Sequence, residues 1–133
     1  MSFAESVRGH AAKAKANLEQ VHKKVALEIF SRVILRTPVD TGRLRGNWQA
    51  GVGVFVPGTV DATDTSGSAT IAAVTAVVTG APPHASLTLT NNLPYARRIE
   101  YDSWSRQAPA GMARVSVAEF DGVVAGVVAE VVR

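Results

Sequence analysis

The feature that most constrains this chain is an apolar stripe near its start. Leu18, Val21, Val25, Ile29 and Val33 recur at steps of three and four, the spacing of one helix face. Thr37-Pro38 stops the pattern, because a residue before proline is pushed out of helical geometry. The spacing predicts a helix over 5–36, so that the first segment, 1–36, is one long helix. A helix of about 30 residues is about 45 Å long. The whole chain, 1–133, is the size of a single domain. A helix that long exceeds what the remaining residues can cover, so part of it is expected to project or to pack on another subunit. Lys15 with Glu19, and Lys24 with Glu28, stand four apart and are expected to pair on the wet face.

The rest of the chain alternates short elements with breakers. Asp40 or Thr41 can cap a short helical turn that Gly46 ends. Asn47–Val56 sets Trp48, Val52, Val54 and Val56 toward one side, the pattern of a half-buried strand. Gly51-Val52-Gly53 marks a bulge or a thin place in it. The stretch 57–68 is rich in Gly, Ser, Thr and Asp and reads as a flexible loop. Ser68–Thr79 reads as a middle helix of small residues, with a strand as the alternative because of its Val and Thr content. Ala85–Thr90 alternates with period two and should lie beside the first strand. Asn91–Pro94 is a turn, and Tyr95–Tyr101 a short helix. From Pro109 to Val132 the valines at 123, 124, 127, 128, 131 and 132 come in pairs every four residues, a helical period. Gly122 and Gly126 share a face there and leave room for another backbone. The predicted fold is α+β: a long N-terminal helix and a C-terminal helix packed on a small β-sheet, with a middle helix.

Charge is spread unevenly. Residues 1–45 hold nine Lys or Arg against four acids, residues 46–96 hold none against two, and residues 97–133 hold five of each. The basic first third is either a nucleic-acid-facing surface or a solvated helix face. Its candidate DNA-facing side chains are Lys13, Lys15, Lys23 and Lys24. Aromatic residues are few and are not interleaved with the basic ones, which argues against a base-stacking platform.

Several chemistries lack their residues. Without cysteine there is no disulfide, thiolate metal site or cysteine nucleophile. The first residues have no apolar signal core, and no apolar run approaches the roughly 20 residues that span a bilayer. The expectation is a soluble chain of a reducing compartment, with no membrane partner. No P-loop, GxSxG elbow or HExxH is present. His10, His22 and His84 follow no metal-ligand spacing. Asp61 and Asp64 offer fewer oxygens than a calcium loop needs. Glu100 beside Arg97 and Arg98 suits an ion-pair cluster better than an acid–base pair. We therefore expect no cofactor, no metal and no catalysis.

Three segments carry a resemblance. They are Thr37-Pro38-Val39-Asp40-Thr41-Gly42-Arg43-Leu44-Arg45 followed by Asn47-Trp48; Thr90-Asn91-Asn92-Leu93-Pro94-Tyr95-Ala96-Arg97-Arg98-Ile99-Glu100-Tyr101; and Ser105-Arg106-Gln107-Ala108-Pro109-Ala110-Gly111-Met112. In this order, behind a long N-terminal helix, they resemble the small head–tail connection proteins of long-tailed bacteriophages, also called neck, tail-completion or minor tail proteins. Asp102 stands where that family usually has a glycine, and the loop through Trp104 is about one residue longer. The resemblance implies a virion structural protein at the head–tail junction, assembled in the host cytoplasm. It implies a homo-oligomeric ring, a hexamer in the common form, joining the tail tube and terminator to the head connector or portal. DNA would pass through its pore without being held tightly. Candidate interface residues are Arg43, Tyr95, Arg97, Arg98, Glu100, Tyr101, Trp104 and Gln107, since Arg and aromatic side chains are favoured at binding surfaces. The alternative for Tyr95, Arg97, Arg98 and Glu100 is an internal brace. For Trp104 it is a lid over the core. The competing function is a nucleic-acid-binding protein that uses the basic first helix.

Overall fold

The computed structural model, which describes residues 2–102 and 104–132, opens with the long helix α1 (Phe3–Arg36). Ser2 starts it with a complete capping box: its hydroxyl accepts from the Glu5 N–H, and the Glu5 carboxylate accepts from the Ser2 N–H. Thr37 ends it in extended backbone, and its hydroxyl donates back to the Val33 carbonyl at 2.8 Å. At 34 residues, α1 is about 51 Å long. Only its C-terminal half is covered.

That half is the hub of the core. Val25 and Ile29 pack on Val123 and Val127 of α6 (Phe120–Val131). Ile34, with Ala26, Leu27 and Phe30, packs on Val74 and Val78 of α3 (Ser68–Gly80). Val33 meets Leu44 of α2 (Arg43–Gly46), Ile99 of α4 (Ala96–Tyr101), and Met112 just before α5 (Ala113–Val117). Three partners on three sides replace the single stripe read from the sequence. Leu18, expected on that stripe, is 62% exposed, because α6 ends beside residue 24, where Lys24 meets Glu130 at 2.9 Å. The two expected Lys–Glu pairs give way to other partners. Glu28 pairs with Arg32 at 2.9 Å, Lys24 with Glu130, and Glu19 accepts from the His84 N–H at 3.0 Å.

The sheet has two antiparallel strands, β1 (Gln49–Val52) and β2 (Leu87–Thr90), in the register Gln49–Thr90, Ala50–Leu89, Gly51–Thr88 and Val52–Leu87. Trp48, Ala50, Leu87 and Leu89 turn toward α1 and α3. The first strand is much shorter than the expected 47–56. At Gly51 a side chain would stand 2.4 Å from the Val54 carbonyl, and Gly53 takes a positive φ of 75°, so the chain folds back and leaves Val54 exposed.

Residues 68–80 are helical, not extended. Asp64 holds the helix start, accepting from the N–H groups of Gly67 and Thr70 and from the Thr70 hydroxyl at 3.0, 2.8 and 2.7 Å. These bonds, that from the Thr70 hydroxyl foremost, hold the Asp64 carboxyl below its ordinary value. Thr75 and Thr79 return their hydroxyls to carbonyls four residues earlier, which removes the competition that favours a strand. The C-terminal helix expected from 109 to 132 is broken at Ala118-Glu119 into α5 and α6. Beyond α6 itself, no atom of the described residues lies within 4 Å of where a side chain would start at Gly122 or Gly126, so none of the described backbone outside that helix uses the space. No helix among the described residues is long and apolar enough to cross a membrane.

Candidate functional site

Of the three segments that carry the resemblance, the first is separated from the other two by residues 49–89, and the fold brings all three to one concavity. Pro38 to Leu44, Tyr95 with Ile99, and Trp104 to Gln107 line an open cavity of about 710 Å³. Gln107 spans it: its amide nitrogen donates to the Val39 carbonyl and its carbonyl accepts from the Val39 N–H, at 3.2 and 2.8 Å. Gly42 forms one wall in the left-handed region, at φ 89°, with its carbonyl accepting from the N–H of both Gly46 and Asp64 at 2.9 Å. Thr41 accepts from the Arg43 N–H, while Asp40 stays exposed on the lining.

The candidate interface residues divide into two groups. Arg43 and Trp104 are exposed on the lining, Trp104 at 59%. Arg98 stacks over the Trp104 ring at 5.6 Å, and Arg97 and Arg114 approach the Tyr101 ring at 5.9 and 5.1 Å. Tyr95 is half-buried and packs on the core while also lining the cavity. Glu100 faces inward. Its carboxylate accepts from the N–H groups of Met112, Ala113 and Arg114 at 2.7, 2.9 and 2.7 Å, and the Arg114 guanidinium lies 3.5 Å away. Burial pushes this carboxyl up, but those N–H donors and Arg114 outweigh burial and hold it below the usual glutamate value. The expected ion pair of Glu100 with Arg97 and Arg98 is therefore replaced by a brace that starts α5. Gly111 makes room for it, at φ 92°, where a side chain would stand 2.6 Å from the Glu100 carbonyl.

The four lysines separate as well. Lys13 and Lys15 are exposed on the uncovered half of α1. Lys23 donates to the Thr79 and Ala81 carbonyls at 3.2 and 2.8 Å, closing the end of α3, and Lys24 is held by Glu130. Neither is a free phosphate contact.

Other residues that shape the site had no local signature. Arg45 ties three carbonyls together, those of Leu35, Thr37 and Thr65, at 3.0, 2.8 and 2.7 Å. Asn47, fully buried, donates to the Arg43 carbonyl and accepts from the Val60 N–H. Asn92 holds the carbonyls of Val56 and Gly58. Together with Asp64 these side chains lay the 57–68 loop along the body. The Asp64 oxygens are engaged by the start of α3, which leaves them poorly placed for a cation, and no three His, Cys, Asp or Glu among the described residues stand close enough to hold a metal. The cavity offers cations, hydroxyls, an amide and aromatic faces, a lining suited to holding another surface. No family model, curated protein or solved structure matches the chain.

Proposed function

We propose that this chain is a ring-forming subunit of the bacteriophage neck, a tail-completion or head–tail connector protein that acts by binding and makes or breaks no bond. The observation that carries the reading is the convergence of its three resembling segments on one cavity. Segments kept only for internal packing have no need to meet at an open surface. These segments expose Arg43 and Arg106 there, and the loop between the last two adds Trp104, residue types that anchor protein interfaces. In this reading the neighbouring collars are the tail tube or terminator on one side and the head connector or portal on the other, with DNA passing through the pore. A DNA path that must release its cargo gains nothing from tight phosphate contacts, and residues 46–96 carry no Lys or Arg.

The competing reading, a nucleic-acid-binding protein, is weakened by the engagement of Lys23 and Lys24. Electron cryomicroscopy of intact particles that carry the chain tests the proposal. Density at the head–tail junction that fits this fold in a closed ring is the expected result. Finished particles without the chain, or tight DNA binding by the isolated chain with a steep salt dependence, would overturn it.

A further inference from the structure

The guanidinium groups of the body sort into two sets. Those of Arg32, Arg36, Arg45 and Arg114 are engaged inside the chain: on Glu28 and Glu119, on Ser116 and Glu119, on three carbonyls, and on Glu100. Those of Arg43, Arg97, Arg98 and Arg106 are exposed and make no hydrogen bond or ion pair among the described residues. Arg43, from α2, and Arg106, from the loop after α4, both line the cavity of about 710 Å³. Arg98, from α4, lies over the Trp104 ring, and Trp104 lines the same cavity. Elements distant in sequence thus hold unpaired cations around one concavity. The acids near them do not neutralise them. Asp40, the one carboxylate of the lining among the described residues, and Asp102, at the end of α4, are both exposed and stand in no ion pair there.

Inside this cationic rim the cavity is apolar and already built. Leu44 and Ile99, both buried in the core, form its floor beside half-buried Val39 and Tyr95. Its walls are fixed without a partner: Gln107 pairs with both backbone groups of Val39, and the Gly42 carbonyl accepts from the N–H groups of Gly46 and Asp64. A preformed pocket loses little freedom on binding. The combination selects its occupant. A phosphate backbone would pair the arginines but bring no apolar group to the floor. A purely apolar surface would bury guanidinium groups without partners, which is costly. A peptide segment with carboxylates on either side of an apolar side chain satisfies both parts.

We infer that the cavity receives an acidic segment of a neighbouring protein, with an apolar side chain over Leu44 and Ile99 and carboxylates on Arg43 and Arg106. Trp104, backed by Arg98, is the aromatic wall of the site. The inference deepens the proposed function and rests on it for the cavity being a docking surface, but not for the ring or its place in a particle. It is tested on the isolated full-length chain. Particles without the chain would overturn the ring reading and leave the peptide result standing, whereas failed peptide binding would leave the density test untouched.

A bead-bound library of random dodecapeptides is selected against the native chain. Enrichment of peptides with Asp or Glu flanking an aromatic or aliphatic residue is expected. An enriched peptide without tryptophan is then labelled with fluorescein and followed by anisotropy. Its affinity is expected to fall at least about tenfold in Arg43→Glu/Arg106→Glu, and to fall as salt rises from about 0.05 to about 0.5 M. Neither guanidinium holds any part of the fold, so this variant is expected to keep native circular dichroism; Arg43→Gln/Arg106→Gln replaces it should it misfold. Lys13→Glu/Lys15→Glu makes the same change of charge on the exposed part of α1 and is expected to bind like the native chain. Trp104 gives a second readout: the unlabelled peptide is expected to shift the tryptophan emission of the native chain but not that of Trp104→Phe. Selection of no acidic motif, equal losses in the two charge variants, an emission shift that survives Trp104→Phe, or tighter binding of a single-stranded or duplex oligonucleotide at the same arginines would each overturn the inference.

Discussion

Glu100 is the residue at which local reading of the sequence goes furthest astray. Next to two arginines, a glutamate looks like half of a surface ion pair, yet its partners are three backbone N–H groups at 112–114. Backbone donors leave no trace in side-chain identity, so this brace was not legible before the fold was known. Its removal would strand those donors beside a buried Met112. Glu100→Ala is expected to destabilise the chain by about 2–4 kcal/mol, and Glu100→Gln by less, because an amide keeps an acceptor but points a donor at donors. Urea unfolding of both variants checks this; equal stability of all three proteins would remove the brace from the account. Gly42 is a second such residue. Its positive φ and the Asp64 backbone, which a side chain would approach to 2.8 Å, leave no strain-free alternative. Gly42→Ala is expected to cost roughly 1–3 kcal/mol, read in the same urea titration, with no loss if the turn relaxes freely.

The elements were legible where their period was long and their breakers strong. The first helix and its stop at Thr37-Pro38 stand in the sequence, as do the two short strands in outline and the valine period at the chain's end. The break at Ala118-Glu119 does not, because it is made by a tertiary partner. The Arg36 guanidinium bonds the Glu119 carboxylate, with Arg32 at 3.2 Å, and this joint fixes the α5–α6 corner against α1. The bond from Arg36 foremost holds the Glu119 carboxyl at about 2, against an ordinary value of 4.5. A carboxyl lowered by folding adds stability that is fully present above its unfolded value and is lost as pH falls through the folded one. The joint should therefore weaken between about pH 4.5 and about pH 2. Both partners are partly exposed, so salt should weaken it too. Glu119→Gln is expected to flatten the fall in unfolding midpoint between pH 6 and pH 3 and to reduce its salt dependence. Parallel profiles for the two proteins would mean that the corner is held by the valines of α6 alone.

At the scale of the whole molecule, the chain divides into a packed body and an uncovered arm. The body gathers three small clusters around residues 25–34 of α1, with Trp48 shared by two of them and its indole N–H donating to the Thr37 hydroxyl at 2.7 Å. The length of α1 already implied that part of it would lie outside the body, but where the body ends could not be read, since Leu18 stands on the same stripe as Val21 to Val33 and is left uncovered. The decision comes from the antiparallel course of α6, whose start lies at Arg36 and whose end lies at Lys24. Stability therefore resides from about residue 19 onward, where Glu19 takes up the His84 N–H. Deleting residues 1–16 removes exposed groups and a capping box that serves only the arm, and it leaves every cluster intact. The shortened chain is expected to melt within about 2 °C of the native monomer in dilute solution, a shift well below the 4–8 °C that roughly 1 kcal/mol would give. Calorimetry across a concentration series separates this from assembly. A midpoint that rises with concentration reports assembly, because a contact made only by folded copies stabilises them by mass action, and the dilute limit reports the arm alone. A drop of the dilute midpoint by about 8 °C or more would instead make the arm part of the body's own core.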